Sequence, residues 1–547
     1  MCLGQGLGGS SLDDGASDGA EIITSRARTV ETDVCIVGAG PVGLVLADTL
    51  SGRGVHVTLL ERGTGSGPLD VPEPDPDLDA ALDAPGWNPL WQSRCAGTGG
   101  TVRMWNNYVD NEASAKLLPF EPIDFEARPG LPLTGWPFGF DHLRRYLDGA
   151  AEVCGLPADA WGDAGARGLD STGTPGPWAP PLQLRWYAFG GQSPFLDTLP
   201  ARLRARPHVR WLRGAAVVAF DTSDHGARVT AVRWTGTAPG EVRTSALVLA
   251  AGTIENARLL LATADGAAWG DSEWLGRGLM EHPIDRSMHL ITRSPLLTPD
   301  LGVFGPHRWG SSRGDAEGAA VWRMARLGIA ADELRAESLP NASLRVREPR
   351  GRAEAAAQAV LEAPTARSWG RRLVPSVRAR RLIGDTVRGA ARGVRRFRAT
   401  TLPLLVDLEQ WPHPDNRVVL EPPTGPDVLP EARVRWRWTA EDDARRELLV
   451  DRFVDAVRAS GWGRVTRTPQ GPVDPNAHHH AGTTRMHADP EGGVVDPDLC
   501  VHGTENLYVC GASVFPTSGA LNPTLTALAL TLRLADHLEP QSGGSAP

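Results

Sequence analysis

The sequence predicts an α/β fold, α+β overall: a doubly wound domain with parallel strands, joined to a second domain built on a mostly antiparallel sheet. Four stretches carry this reading. TDVCIVGAGPVGLVLADTLSGRGVHVTLLERG (32–63) reads as strand, glycine turn, helix and strand, and SALVLAAGTIENARLLLAT (245–263) repeats strand, turn and helix. VDLEQWPHPDNRVVLEP (406–422) and ARVRWRWT (432–439) have the pattern of hairpin strands. At 547 residues the chain exceeds the ~100–200 residues of a usual domain, so a site between two domains is possible.

In the first stretch the apolar strand Val34 to Val37 meets Gly38-Ala39-Gly40-Pro41-Val42-Gly43, then a helix, then a strand from Val55 to Leu60. Each glycine has a physical reason. Gly38 permits the tight turn, Gly40 lets a pyrophosphate approach the backbone, and Gly43 lets helix pack on strand. The helix N-terminus offers free N–H groups and positive dipole to phosphates. Glu61 ends the second strand, 18 residues after Gly43, where a carboxylate can hold ribose hydroxyls. This Rossmann-like unit predicts dinucleotide binding.

Composition narrows the partners. The 65 acidic residues outnumber the 56 basic ones, a net charge of −9, which disfavours nucleic acid because phosphate binding rests on a positive surface. No apolar run approaches the roughly 18 residues of a membrane span. Of the basic residues only Lys116 is lysine, which reads as coding bias. Six scattered cysteines without a CxxC suggest neither disulfides nor a zinc ribbon, and fit a reducing cytoplasm. The first residues lack the features of a secretory signal, and their Gly, Ser and Asp content predicts a disordered tail to residue 30.

Further along, Pro and Asp crowd residues 68–89, an expected exposed loop. In CAGTGGTVRMWNN (95–107), Gly99-Gly100 suits close backbone approach, and Trp105-Asn106-Asn107 puts a flat apolar face beside amide donors. Residues 171–181 read as a crossover, and 209–236 as strands leading to the second strand–turn–helix. Residues 350–398 carry 13 arginines, read as a solvated helical insertion. Near the C-terminus stands His478-His479-His480. Consecutive strand residues point to opposite faces, and no cysteine or carboxylate completes a zinc pattern, so no metal is expected.

The C-terminal hundred residues, HHAGTTRM through VVDPDLCVHGTENLYVCGASVFPTSGALNPTLTALALTLRLADHL, resemble the closing segment of the glucose–methanol–choline oxidoreductases, GALNPTLTA being similar to the pyranose oxidase branch. The glycine motif at 38, GGT at 99, LAAGTIENARLL at 249, His479-x-x-Gly-Thr and Asn522-Pro523 match in order. The resemblance implies an FAD-binding domain assembled from 31–135, 186–290 and 474–540, with 136–185 and 291–473 forming the substrate-binding domain. Several relatives attach FAD through a histidine where this chain has Met104. A thioether cannot form that bond, so non-covalent FAD is expected.

Oxidising an alcohol removes a hydroxyl proton and a carbon-bound hydride, so the protein must supply a base and complementary electrostatics. The resemblance makes His479 the base, with Asn522 binding the alcohol oxygen and flavin N5 taking the hydride. Pro523 and Thr524 would open a helix whose positive end faces the flavin. Ala39, Gly40, Pro41 and Val42 would contact pyrophosphate; Glu61 and Arg62, the adenosine side; Val217, the adenine. Ala251 and Gly252 would lie along the dinucleotide, Gly511 and Ala512 near the ribityl chain, and Thr101, Trp105 and Asn106 near N5, with Trp105 also able to touch substrate. His478, His480, His487 and His502 are read as supporting or surface residues. The expected reaction is FAD-dependent oxidation of a CH–OH group in a sugar-like or glycosylated metabolite, aminoglycosides included, with Glu409 a contact for a cationic sugar and oxygen or another acceptor taking the electrons. The alternative is an FAD-containing lyase without net redox turnover.

Overall fold

A computed structural model describes residues 28–539 except 70–80, 111, 158–159, 161–177, 237, 293–306, 310–320, 348–399, 424, 426–427, 469–470 and 521. The expected N-terminal tail to residue 27, the crossover at 171–177 and the arginine-rich segment 350–398 lie outside the described residues.

A seven-stranded sheet orders Val209–Arg213, Val57–Glu61, Arg28–Val37, Gly240–Leu249, Arg228–Gly236 and Ala215–Ser223, with Leu507–Val509 also pairing Gly240–Leu249. Its central pairs are parallel, and Arg228–Gly236 pairs antiparallel on both sides. The first strand starts at Arg28, earlier than the apolar run suggests, because Arg28–Thr32 stays in register with Gly240–Thr244. Parallel strands buried on both faces read as continuous apolar runs, as Cys35, Ile36, Leu247, Val248 and Leu249 do here. The helix Pro41–Gly52 buries Leu44, Val45, Leu46 and Leu50 against this sheet. At about 1.5–3 kcal/mol for each large apolar side chain, that burial fixes the helix far more firmly than its intrinsic propensity.

The second sheet has nine strands among the described residues, in the order Arg464–Arg467, Ile284–Thr292, Thr400–Leu408, Ala342–Val346, Val321–Ile329, Leu182–Gly191, Glu112–Leu117 and Asn107–Val109, with His307–Trp309 on Val321–Ile329. Every pairing is antiparallel. One face packs Trp186, Leu327, Leu344, Leu404 and Val406 onto Leu449, Val450 and Phe453 of the helix Ala440–Ala459. The other face carries Lys116, Arg326, Arg345 and Asp407, the alternation a sheet with one apolar face demands.

Three segment assignments change. Residues 107–117, expected in the nucleotide domain, belong to this second sheet. The strands Leu182–Gly191 and Ile284–Thr292 run straight through the expected borders at 185/186 and 290/291, because ladder pairing continues there. The hairpin Arg417–Leu420 and Ala432–Arg435 forms its own three-stranded sheet with Ala81–Asp83, part of the supposed loop, and packs Val418 and Val434 on Ile254 and Ala257.

Candidate active site

The glycine turn at the end of the first strand has the geometry its spacing demands. Gly38 has φ +105°, and a Cβ there would stand 2.7 Å from the Ala250 carbonyl oxygen, so only glycine fits. A Cβ on Gly43 would meet the Gly38 carbonyl oxygen at 1.9 Å. A Cβ on Gly40 would meet nothing of the protein within 4 Å, yet Gly40 lines a cavity of about 850 Å³. Gly38 and Gly43 serve packing, whereas Gly40 keeps space free for something that is not protein.

Three further turns converge on that cavity. Gly99 donates its N–H to the Ala39 carbonyl at 2.8 Å, and Gly100, φ +51°, sits so close that a Cβ would lie 3.1 Å from the Gly40 Cα. Asn256 joins the other two: its amide oxygen accepts from the Ala251 N–H at 2.8 Å, and its amide nitrogen donates to the Ser513 hydroxyl at 3.0 Å. One buried side chain thereby fixes Ala251-Gly252 relative to Gly511-Ala512. The Glu61 carboxylate accepts from the N–H groups of Ala39, Gly63 and Gly97 at 2.7–2.8 Å. Burial pushes its carboxyl up and those three donors pull it back.

Gly38, Gly40, Pro41, Val42, Glu61, Arg62, Gly100, Thr101, Trp105, Asn106, Val217, Ala251, Gly252, Gly511, Ala512, His479, Asn522, Pro523 and Thr524 all line this one cavity. Ala39, Gly43 and Gly99 stand behind it. Its walls thus run from a nucleotide-type glycine loop, through the open space at Gly40, to a histidine and an amide, and the start of the helix Thr524–His537 forms part of them. These residues would hold FAD, the N-terminus of Pro41–Gly52 offering its free N–H groups to the phosphates. Met104 also lines the cavity.

The loop carrying His479 is pinned on several sides. His478 takes a left-handed φ of +63°, reversing the chain before it. One oxygen of the Glu281 carboxyl group accepts the N–H groups of His282 and His479, both at 2.8 Å. Ala481 and Met280 exchange backbone hydrogen bonds at 2.9 and 3.1 Å. Thr483 donates its hydroxyl to the Thr253 carbonyl at 2.6 Å, and the Thr253 hydroxyl donates to the His480 carbonyl at 2.7 Å. The Gly-Thr after the histidine is therefore an anchor on the helix Thr253–Ala262.

The ring of His479 has two partners that assign its tautomer. His282 Nε2 faces the carbonyls of Ser518 and Gly519, which only accept, so Nε2 carries the proton. Burial keeps His282 neutral, and its Nδ1 is then an acceptor. His479 Nδ1, 3.0 Å away, must donate to it, which leaves His479 Nε2 bare. The Asn522 amide nitrogen lies 2.8 Å from that Nε2 and donates to it. Burial first, then His282 and His478, holds His479 well below the usual imidazole range. The pair has the groups for general-base chemistry: an unprotonated nitrogen and an amide donor beside it.

Glu409 is not a substrate contact. It is fully buried, forms a bidentate ion pair with Arg128 at 2.6 and 2.7 Å and accepts from the Asn341 N–H at 2.6 Å. Its lone pairs are occupied by structural donors, outside the cavity walls. The three consecutive histidines also separate: His480 stacks on Trp87 at 4.9 Å, and only His479 meets Asn522. A different trio, Glu281, His282 and His479, brings ligand-type atoms within 4.8 Å; the hydrogen bonds above engage both rings and one Glu281 oxygen, while the other Glu281 oxygen is buried without a hydrogen-bond partner, 3.4 Å from His480 Nε2. The sequence reading missed His282, Glu281 and Asn256, whose partners are remote in the chain. It also passed over Lys116, which stands on the cavity wall.

Fold and site together define a flavin-dependent oxidoreductase acting on alcohols. Residues 412–531 match the family model described as GMC oxidoreductase, and residues 31–68 match an FAD binding domain. The chain thus carries the C-terminal domain of the GMC oxidoreductases, the glucose–methanol–choline family, behind an FAD-binding segment. It is 26% identical to the paromamine 6'-oxidase of Streptomyces fradiae over 92% of this chain and 90% of that one. It is 30% identical to the pyranose 2-oxidase of Tricholoma matsutake, over 20% of this chain and 19% of that protein. Among solved structures, pyridoxine 4-oxidase from Mesorbium loti superposes with a TM-score of 0.50 at 18% identity, covering 92% of this chain and 99% of that one, a likeness of fold.

Proposed function

We propose that this enzyme oxidises a CH–OH group of a sugar-like or glycosylated metabolite to a carbonyl, with His479 as the base. The observation that carries the proposal is the bare Nε2 of His479, its tautomer set by His282 and its outer side met by Asn522. FAD, bound without a covalent link because Met104 stands where relatives have a histidine, supplies the hydride acceptor. A substrate hydroxyl entering between the two side chains would donate to His479 Nε2 and accept from the Asn522 amide. The low basicity of buried His479 keeps it ready to accept at neutral pH, and the Asn522 amide stabilises the oxygen as it loses its proton.

The substrate class draws support from the relatives named for paromamine and pyranose. No helix among the described residues is long and apolar enough to cross a membrane, and the described cysteines form no disulfide with one another; the proposed location is the cytoplasm. Oxygen is the proposed electron acceptor.

The test is addition of sugars, glycosides and simple alcohols to the purified yellow protein under nitrogen, followed by admission of air and a peroxide assay. Bleaching by a sugar, with peroxide on aeration, is the expected result. Product formed while the yellow colour persists indicates a lyase and refutes the oxidation.

A further inference from the structure

The charge of the substrate can be read from the cavity wall. The chain has 56 basic residues and Lys116 is its single lysine. It lies on the strand Glu112–Leu117, opposite Phe189, and lines the cavity together with Trp105, Asn107, His479 and Asn522. No described residue hydrogen-bonds or ion-pairs with its ammonium. Because paired strand residues share a face and alternate residues return to it, the ladder places Tyr187, Arg326, Arg345 and Asp407 on the same face as Lys116. Arg326 and Arg345 both hold Asp407, at 2.7 and 3.0 Å. Three cations thus share one carboxylate, and the two guanidiniums already occupy it.

At the His479 end of the cavity no described residue balances this. His478, His479 and His480 are all held below the usual imidazole range by burial and are neutral. The carboxylates that line the cavity stand elsewhere. Glu61 lies under the glycine turn, Glu255 is ion-paired with Arg94 and Arg258, and Glu431 precedes the strand Ala432–Arg435. Glu409, the carboxylate that would have welcomed a cationic sugar, is locked to Arg128. An ammonium brought to this end meets a cationic face, whereas an anion finds a partly buried ammonium without a partner among the described residues.

We infer that the sugar this enzyme oxidises carries an anionic group, a carboxylate or phosphate, and that Lys116 binds it while the reacting hydroxyl lies at His479 and Asn522. Burial and then Arg326 and Arg345 push the lysine down to about 7, which is the expected state of a buried cation whose counter-ion arrives with the ligand. The inference rests on the proposed oxidation of a sugar-like alcohol, and narrows it away from aminosugars.

The test is calorimetric titration of the FAD-loaded protein with D-glucuronate, glucose 6-phosphate, glucose and glucosamine, repeated on Lys116→Met and Lys116→Arg. Wild type should bind one or both acidic sugars at least tenfold more tightly than glucose and glucosamine. Glucuronate ahead of the phosphate identifies a carboxylate ligand, and the reverse a phosphate ligand. The preference should fall below twofold in Lys116→Met and persist in Lys116→Arg. Glucosamine binding most tightly, no preference for either acid, or an unchanged preference in Lys116→Met would each overturn the inference. The titrations are run under nitrogen with the flavin already reduced, so binding is read without turnover, and an acidic sugar that binds but leaves the oxidised flavin yellow counts against the oxidation alone.

Discussion

The Nδ1 atoms of His282 and His479 lie 3.0 Å apart, and the carbonyls of Ser518 and Gly519 on the far side of His282 decide which of them holds the proton. A backbone carbonyl cannot donate, so the proton pattern runs outward from it: His282 Nε2–H, His282 Nδ1 accepting, His479 Nδ1–H, His479 Nε2 bare. The unprotonated nitrogen of His479 is set by its neighbours before any substrate arrives.

Replacing His282 should therefore cost activity although it lies behind the base. His282→Phe removes the acceptor and leaves His479 free to carry its proton on Nε2, and kcat/KM should fall by about 10²–10⁴, the usual worth of a positioned base. His282→Asn, whose amide oxygen can accept from His479 Nδ1–H, should recover part of the loss. Steady-state kinetics on both variants, with flavin content measured, checks this.

The pH profile follows from the low basicity of His479. A base whose folded value lies well below 6.5 stays unprotonated through neutral pH and loses activity only on the acid side of 6.5. The groups around it are His282, His478, His480, Lys116 and Glu281, the last pushed up to about 8 by burial and thus protonated at neutral pH. For a neutral sugar, whose binding does not use the Lys116 charge, kcat/KM should be flat from pH 8 to 6.5 and decline below. A midpoint above 6.5 would contradict the assignment.

Two glycines three residues apart in sequence should behave differently. Gly43→Ala drives a Cβ to 1.9 Å from the Gly38 carbonyl oxygen and should yield little folded protein. Gly40→Ala meets no protein atom within 4 Å, so the chain should fold, with its methyl group in the space of the cofactor. Circular dichroism should match wild type while the flavin-to-protein ratio drops.

Glu409→Gln tests the correction made to that residue. Removing one partner of a buried ion pair leaves Arg128 uncompensated, and stability should fall by ~3–5 kcal/mol. Denaturant unfolding gives the loss. The preference among neutral, acidic and amino sugars should stay the same in the folded fraction, because Glu409 does not face the cavity.

The sequence made the glycine turn, the Gly99-Gly100 pair and the His479–Asn522 pair legible because each depends on short spacing or on a motif with few structural uses. His282 escaped notice because it stands 197 residues from the histidine it serves, and a lone histidine before a proline carries no signal of its own. Glu409 misled for the same reason: its partner Arg128 lies 281 residues away, so a structural carboxylate looked free. Lys116 was visible as the single lysine, but only the strand register sets it among Arg326, Arg345 and the cavity. The segment borders failed where a ladder, which is a property of pairs of strands, carried strands past the change in composition.

The most direct test of the central claim is the rate at which a sugar substrate bleaches the flavin of His479→Ala under nitrogen, followed by stopped flow at pH 7. The variant should retain its flavin and bleach about 10²–10⁴ times more slowly than wild type. Full flavin content with an unchanged rate would show that His479 is not the base.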